Sequence, residues 1–422
     1  MIKVRNLYLF ILLSLIPLTV FAQQNTLDSL INQALNVSPK LKMLQSKYSA
    51  AESQTNINTN LPDPMLTLGL MNLPTNSFSF TQEPMTGKII GLSQAFPFPG
   101  KLGSMADVSE KGAEIVKQEI DDARNEIVKN VAQNYYELIF VRKSIDVANE
   151  NLKLLNEIAK VVRTSYTVAK ASQQNLFKVE LEITNLKDKI DELKNKENSI
   201  KAMINAQLLR SQDIPVSTGS LPVIQYFKFS QEELDSLAVQ NRPFLTGIRL
   251  AKQKAELQEK LAKYDYYPNF NVSVQYTQRD RIAKTNTPLT DFASFMVGIS
   301  LPLNYGGKVS SKVEENEATQ DMYQEQYNLS LQMLNSNFGT AISRLNSLQD
   351  RIKLVEQAQL PQAQQTYSAS LSGYQVGQID FINVIDSQKK LYQVETNLYR
   401  LKTNYLKEIE ELKFLTGTSL SK

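Results

Sequence analysis

From Lys101 to Tyr166 the chain runs 66 residues without a proline and with almost no glycine. Left unbroken, such a stretch makes a helix of about 99 Å, several times the diameter of a small domain. No single compact core can contain it. A second stretch, from Lys308 to Tyr374, is interrupted only by Gly339, Pro361 and Gly373. Each is followed by a returning segment with coiled-coil spacing. Leu176, Val179, Ile183, Leu186, Ile190 and Leu193 step by three and four, as do Val384, Gln388, Leu391, Glu395 and Leu398. The polar members of these seams predict helices that pack sideways on neighbours while one face meets water.

The chain also repeats itself. Leu27-Asp28-Ser29-Leu30 returns as Leu234-Asp235-Ser236-Leu237, Gly91-Leu92-Ser93 as Gly298-Ile299-Ser300, and Gly100-Lys101 as Gly307-Lys308, all 207 residues apart. Near the end of each half, Tyr166-Thr167-Val168-Ala169 returns as Tyr374-Gln375-Val376-Gly377 at an offset of 208. Four matches in one order mark two structural repeats. The organisation read from them is 1–22 as a cleaved segment, 23–210 as repeat one, 211–229 as a linker and 230–422 as repeat two.

Between the first helix of each repeat, Leu27 to Asn60 in repeat one, and the long one, the period changes to two. Leu66, Leu68 and Leu70 alternate with Thr67, Gly69 and Met71, and Ile90 and Leu92 with Gly91 and Ser93. In repeat two Phe270, Val272, Val274 and Tyr276 alternate with Asn271, Ser273, Gln275 and Thr277, and Phe295, Val297, Ile299 and Leu301 with Met296, Gly298, Ser300 and Pro302. A half-buried sandwich strand gives the same pattern. Only four strands exist, however, and an open sheet with a greasy face cannot sit in a membrane. The smallest membrane barrels have roughly eight strands, so copies of the chain must share one, with eight, twelve or sixteen strands for two, three or four subunits.

The first residues set the compartment. Lys3 and Arg5, the apolar run Leu7 to Val20 and Val20-Phe21-Ala22 form a signal peptide with its cleavage site. Cys is absent, so neither a disulfide nor an N-terminal lipid on Cys can hold the exported protein. Without His or Cys there is no Ser-His-Asp triad, no thiol nucleophile and no zinc site of the usual ligands. The carboxylate pairs Asp121-Asp122 and Glu314-Glu315 fall on long exposed helices and read as hydrophilic faces, so no enzyme, catalytic residue or cofactor is expected. A net charge of +3 gives no field for nucleic acid.

This order of elements resembles the TolC-like outer membrane factors, the exit ducts of Gram-negative efflux pumps and type I secretion systems. The most specific pieces are Gly91-Leu92-Ser93 running to Phe96-Pro97-Phe98-Pro99-Gly100-Lys101, its partner Val297 to Leu303, and the tips Tyr166 to Ala169 and Tyr374 to Gly377. Leu61-Pro62-Asp63-Pro64 through Met71-Asn72-Leu73-Pro74 to Glu83-Pro84-Met85 is similar to the branch that serves heavy-metal efflux. The resemblance implies a mainly α chain with a membrane β-barrel: a homotrimer, a twelve-stranded barrel in outer membrane lipid, and helical hairpins forming a periplasmic α-barrel. It further implies an outer membrane channel partnered by a periplasmic adaptor and an inner membrane pump of the RND type. A type I secretion duct is the alternative, and a non-conducting periplasmic coiled-coil protein is a more distant one.

By the same resemblance the periplasmic end closes at the turns Val168 to Ser172 and Val376 to Asp380, whose Val168, Ala169, Val376 and Gly377 would meet the adaptor. Positions that carry acidic rings in family members fall on Asn383 and Asp386, leaving one carboxylate ring instead of two. Tyr374 matches a tyrosine that holds the closed state. Ile379 and Asn175 stand where a salt-bridge latch would lie, so that latch cannot form. Met65, Met71, Met85 and Met105 are soft-ligand types, but scattered methionines on strands and loops read as packing, and no metal site is expected. The loops near 73–87 and 279–293, with Arg279, Asp280 and Arg281 in the latter, are expected outside the cell.

Overall fold

The computed structural model describes residues 27–169 and 171–420, so the predicted signal at 1–22 lies outside the described residues. Repeat one gives α1 (Leu27–Val37), α2 (Pro39–Thr59), β1 (Met65–Met71), β2 (Gly87–Phe96), α3 (Lys101–Thr167) and α4 (Gln173–Gln207). Repeat two gives α5 (Gln231–Asn241), α6 (Pro243–Lys263), β3 (Phe270–Gln278), β4 (Phe292–Ile299), α7 (Lys308–Leu354), α8 (Leu360–Gln375) and α9 (Phe381–Thr416). Among the described residues no helix is long and apolar enough to cross a membrane.

Two expected single helices are broken, and proline is the cause. The helix expected from Leu27 to Asn60 stops at Ser38, because the residue before Pro39 is pushed out of the helical region. Ser38 leaves with ψ 118° and its Oγ accepts from Leu41 N at 3.3 Å, restarting the chain as α2. Arg242 and Pro243 repeat the break between α5 and α6. The second long helix carries a wide π turn, Val355–Gln359, just before Pro361, whereas α3 runs 67 residues without one. β4 ends at Ile299, short of the expected Leu301, with Pro302 unable to donate to a ladder.

The chain forms two compact units. Among the described residues, one comprises 38–130, 226–350 and 407–420; the other comprises 27–37, 131–225 and 351–406, so each repeat contributes to both. The first unit holds the sheet, ordered β1-β2-β3-β4 and antiparallel throughout. Where it meets the helices, Asp265 accepts from Lys101 Nζ at 2.7 Å and from Lys312 Nζ at 2.5 Å, tying the starts of α3 and α7 to one carboxylate. Phe98 stacks on Tyr267 at 4.6 Å alongside. Burial works to raise the Asp265 carboxyl, but the two lysines outweigh it and hold it below the ordinary carboxylate value.

A carboxylate lowered on folding stabilises the protein above its unfolded pKa of about 3.9 and loses that contribution as pH falls through the folded value. Asp265→Asn should therefore cost about 1 kcal/mol at pH 7. Melting curves of the two proteins should converge once the pH has fallen through the folded value of Asp265; a gap that persists at lower pH would assign the loss to shape rather than charge.

The second unit packs α3, α4, α8 and α9 around Leu155, Ile158, Val162, Val179, Leu186 and Ile190, with Phe381, Val384 and Ile385 closing the same core. Val179, Leu186, Ile190 and Val384 are seam residues of the two returning helices, so the three-four spacing reports a contact made within the chain.

Candidate functional site

The strand register sorts every side chain of the sheet onto one of two faces. Leu66 lies opposite Leu92, Leu92 opposite Val274, and Val274 opposite Phe295. Leu68, Ile90 and Tyr276 form the next row, and Phe96, Phe270 and Ile299 another. This face is apolar and open to the surroundings. On the other face Thr67 meets Gly91, Gly91 meets Gln275, and Gln275 meets Ser294. The outer edges of β1 and β4 have no ladder partner among the described residues.

The two helical tips are built alike. Gly377 takes φ +78° after α8, its N–H donating to Tyr374 O at 3.0 Å while Gln378 N donates to Gly373 O at 2.8 Å. That pair of bonds is a Schellman cap. Ala169 takes φ 58° after α3 and donates to Tyr166 O at 3.0 Å. Both caps leave Val168 and Val376 exposed, as they do Ala169 and Gly377.

At the second tip Tyr374 packs its ring on Phe381 with centroids 5.4 Å apart. Its hydroxyl is shut off from solvent beside Asn175 and Ser165 without a well-formed hydrogen bond. Burial raises the Tyr374 hydroxyl above the ordinary tyrosine value, and those two neighbours oppose the shift. Ile379 sits against Gly373 so closely that a Cβ there would lie 2.6 Å from its Cδ1. Tyr374, Asn175 and Ile379 thus share one end of the second unit, joined by packing in place of a salt bridge. Asn383 and Asp386 lie on the exposed side of α9, in a groove with Thr366, Ser370, Asp380 and Ser387.

Two features were not read from the sequence. Phe381, 2 % exposed, anchors the start of α9 beneath Tyr374; as one aromatic in a long helix it carried no distinguishing pattern. A buried polar layer joins α3 to α9, with Gln388 Nε2 donating to Asn151 Oδ1 at 2.6 Å and Asn151 Nδ2 to Val147 O at 2.9 Å. Burial raises the nearby Glu395 carboxyl, partly offset by Asn151. The signal for this layer was present, since Gln388 and Glu395 interrupt an otherwise apolar seam.

The model of the outer membrane efflux protein family matches residues 30–192 and 234–418. The chain is 21 % identical over 407 residues to the cation efflux system protein CusC of Escherichia coli K12, covering 94 % of this chain and 87 % of that one. To the cobalt-zinc-cadmium resistance protein CzcC of Cupriavidus metallidurans it is 19 % identical over 303 residues, covering 70 % and 68 %. The crystal structure of the outer membrane protein VceC of Vibrio cholerae superposes with a TM-score of 0.78 at 18 % identity, covering 94 % and 97 %.

Proposed function

The chain belongs to the outer membrane efflux protein family, and from that premise we propose how its residues serve as an exit duct. It is an outer membrane channel with a periplasmic helical extension, the last component of a tripartite efflux system. The observation that carries the detailed reading is the two-faced sheet with two open edges. An apolar outer face needs lipid, a polar inner face needs water, and an open edge in a membrane needs a partner strand. Strand arithmetic leaves two, three or four copies open, and family membership favours three, a homotrimer with twelve strands.

In that trimer Val168, Ala169, Val376 and Gly377 form a ring of exposed tips that a periplasmic adaptor grasps, and an inner membrane pump of the RND type supplies the energy. Asp386 contributes one carboxylate per copy to the narrow end, with Asn383 neutral beside it. Tyr374, Ile379 and Asn175 hold that end shut through packing. The likeness to cation efflux proteins supports metal cations as cargo, and no catalytic step is assigned.

Purified protein should run as a heat-modifiable trimer and conduct across a planar bilayer; a soluble, non-conducting product would overturn the reading. Three fixed negative charges at a constriction attract cations. Asp386→Asn should therefore reduce cation preference, seen as a smaller reversal potential in a potassium salt gradient. An unchanged reversal potential would remove Asp386 from the ion path.

A further inference from the structure

The two returning helices share a spacing but not a chemistry. The seam of α4 is apolar from Leu176 through Val179, Ile183, Leu186 and Ile190 to Leu193, whereas α9 sets Gln388 and Glu395 between Val384, Leu391 and Leu398. Both polar residues meet one side chain of α3. Asn151, 1 % exposed, accepts at Oδ1 from Nε2 of Gln388, 3 % exposed, at 2.6 Å. Its Nδ2 donates to Val147 O at 2.9 Å and to Glu395 Oε2 at 3.5 Å. The next residue of α9 reaches the other helix of the first hairpin, with Lys389 Nζ 2.8 Å from Glu182 Oε1 on α4. Arg163–Glu180 stays within the first hairpin and Lys402–Glu356 within the second, but at this level α9 is tied to both α3 and α4.

An apolar seam tolerates a shift that returns one aliphatic side chain to the place of another; a buried amide does not. Sliding α9 by one turn, about 5.4 Å, would set Val384 or Leu391 where Gln388 stands and leave Asn151 Oδ1 buried without its donor. A buried acceptor that loses its partner pays its full desolvation penalty. A lone polar residue in a coiled-coil seam fixes register in this way. Asp386 precedes Gln388 by two residues on the same helix, so the contact that fixes Gln388 also fixes the height of that carboxylate. We propose that Asn151, Gln388 and Glu395, assisted by Lys389 and Glu182, form a register pin that holds the second hairpin at one height on the first and thereby sets the level of Asp386. The link to Asp386 rests on the duct reading; the pin is a contact within one chain.

The chain has no Cys, so introduced cysteine pairs report the register without background. Glu182, Lys389 and Gln393 line one groove. Glu182→Cys with Lys389→Cys marks the observed register, and Glu182→Cys with Gln393→Cys marks α9 shifted by one turn. With a short bifunctional thiol reagent on the full-length protein in detergent, the first pair should cross-link within the chain about tenfold faster than the second, since the shifted seam buries an unpaired amide. N151L/Q388M replaces both amides by apolar side chains of similar shape. Such replacements are often neutral or stabilising, so the variant should melt no lower than the parent while the two pairs react at similar rates. Gln388→Met alone carries the same expectation if the double variant does not fold, because Asn151 Oδ1 then lacks a donor in either register. Equal rates in the parent, or an unchanged ratio in the folded variants, would overturn the pin. Cation preference in a potassium salt gradient is read on the same preparations and should fall in N151L/Q388M with Asp386 intact. A loosened register with full cation preference would overturn the link to Asp386. A non-conducting parent that keeps its tenfold ratio sinks the duct and leaves the pin standing.

Discussion

Phe381→Ala is expected to spring the periplasmic tip open. The ring is almost fully buried, supports Tyr374 from below and joins the core formed by Val162, Val179 and Val384. Removing a buried phenylalanine costs about 3–5 kcal/mol because the surroundings do not collapse into the space. That loss falls on the start of α9 and on the turn that carries Tyr374 and Ile379. The barrel strands are untouched, so the trimer should still assemble. In planar bilayers the resting conductance should rise severalfold, and cells should admit large hydrophilic antibiotics. Tyr374→Phe is the informative contrast. The Tyr374 hydroxyl is buried without a good partner, so deleting it should be neutral or slightly stabilising. A resting conductance that stays at the parent level in Phe381→Ala would mean that the ring serves stability and not closure.

The largest effect away from the tip should come from Gly417→Ala. Gly417 leaves α9 at φ +75° and lies against the α5–α6 break, where an added Cβ would fall 2.6 Å from Asn241 O and 2.7 Å from Arg242 Cα. A left-handed alanine alone costs about 1 kcal/mol, and overpacking against backbone adds about 1–3 kcal/mol. The contact it disturbs is substantial. Arg242, only 9 % exposed, donates to Leu415 O at 3.1 Å and lies over the Phe414 ring at 4.9 Å, with Asp122 and Glu411 as its nearest charges. Arg242→Met, which keeps the bulk and removes the charge, should cost about 1–3 kcal/mol by leaving the Leu415 carbonyl without its buried donor and taking one of two nearby cations from Asp122. Denaturant midpoints of both variants measure the effect. Changes within 0.5 kcal/mol would show that the α9 end frays in the parent as well.

The sequence made the strands and long helices legible because their periods differ and because hydrophobicity follows them. Leu66, Val274 and Phe295 alternate as they do since one face needs lipid. The broken helices were less legible: Pro39 and Pro243 suit a helix start as well as a bend, and the choice depends on whether Ser38 and Arg242 find partners. At the tips, Tyr374 and Ile379 could be aligned by resemblance, but Phe381 could not be singled out. Burial of one aromatic in a helix depends on which neighbour arrives, and no local pattern encodes that.

The π turn at Val355–Gln359 accounts for an irregularity in the repeat. Matches before it are 207 residues apart, and the match after it, Tyr166 with Tyr374, is 208 apart. A single extra residue in an α-helix would turn everything downstream by about 100° and swing Tyr374 to a different side of its helix. A π turn holds one residue more in the same sweep. The insertion is thereby absorbed as local width and not passed on as rotation, so the second tip keeps the angular phase of the first. Deleting one residue between Val355 and Gln359 would restore an even helix and return the two halves to a common numbering, a change of sequence length to which the tip is indifferent.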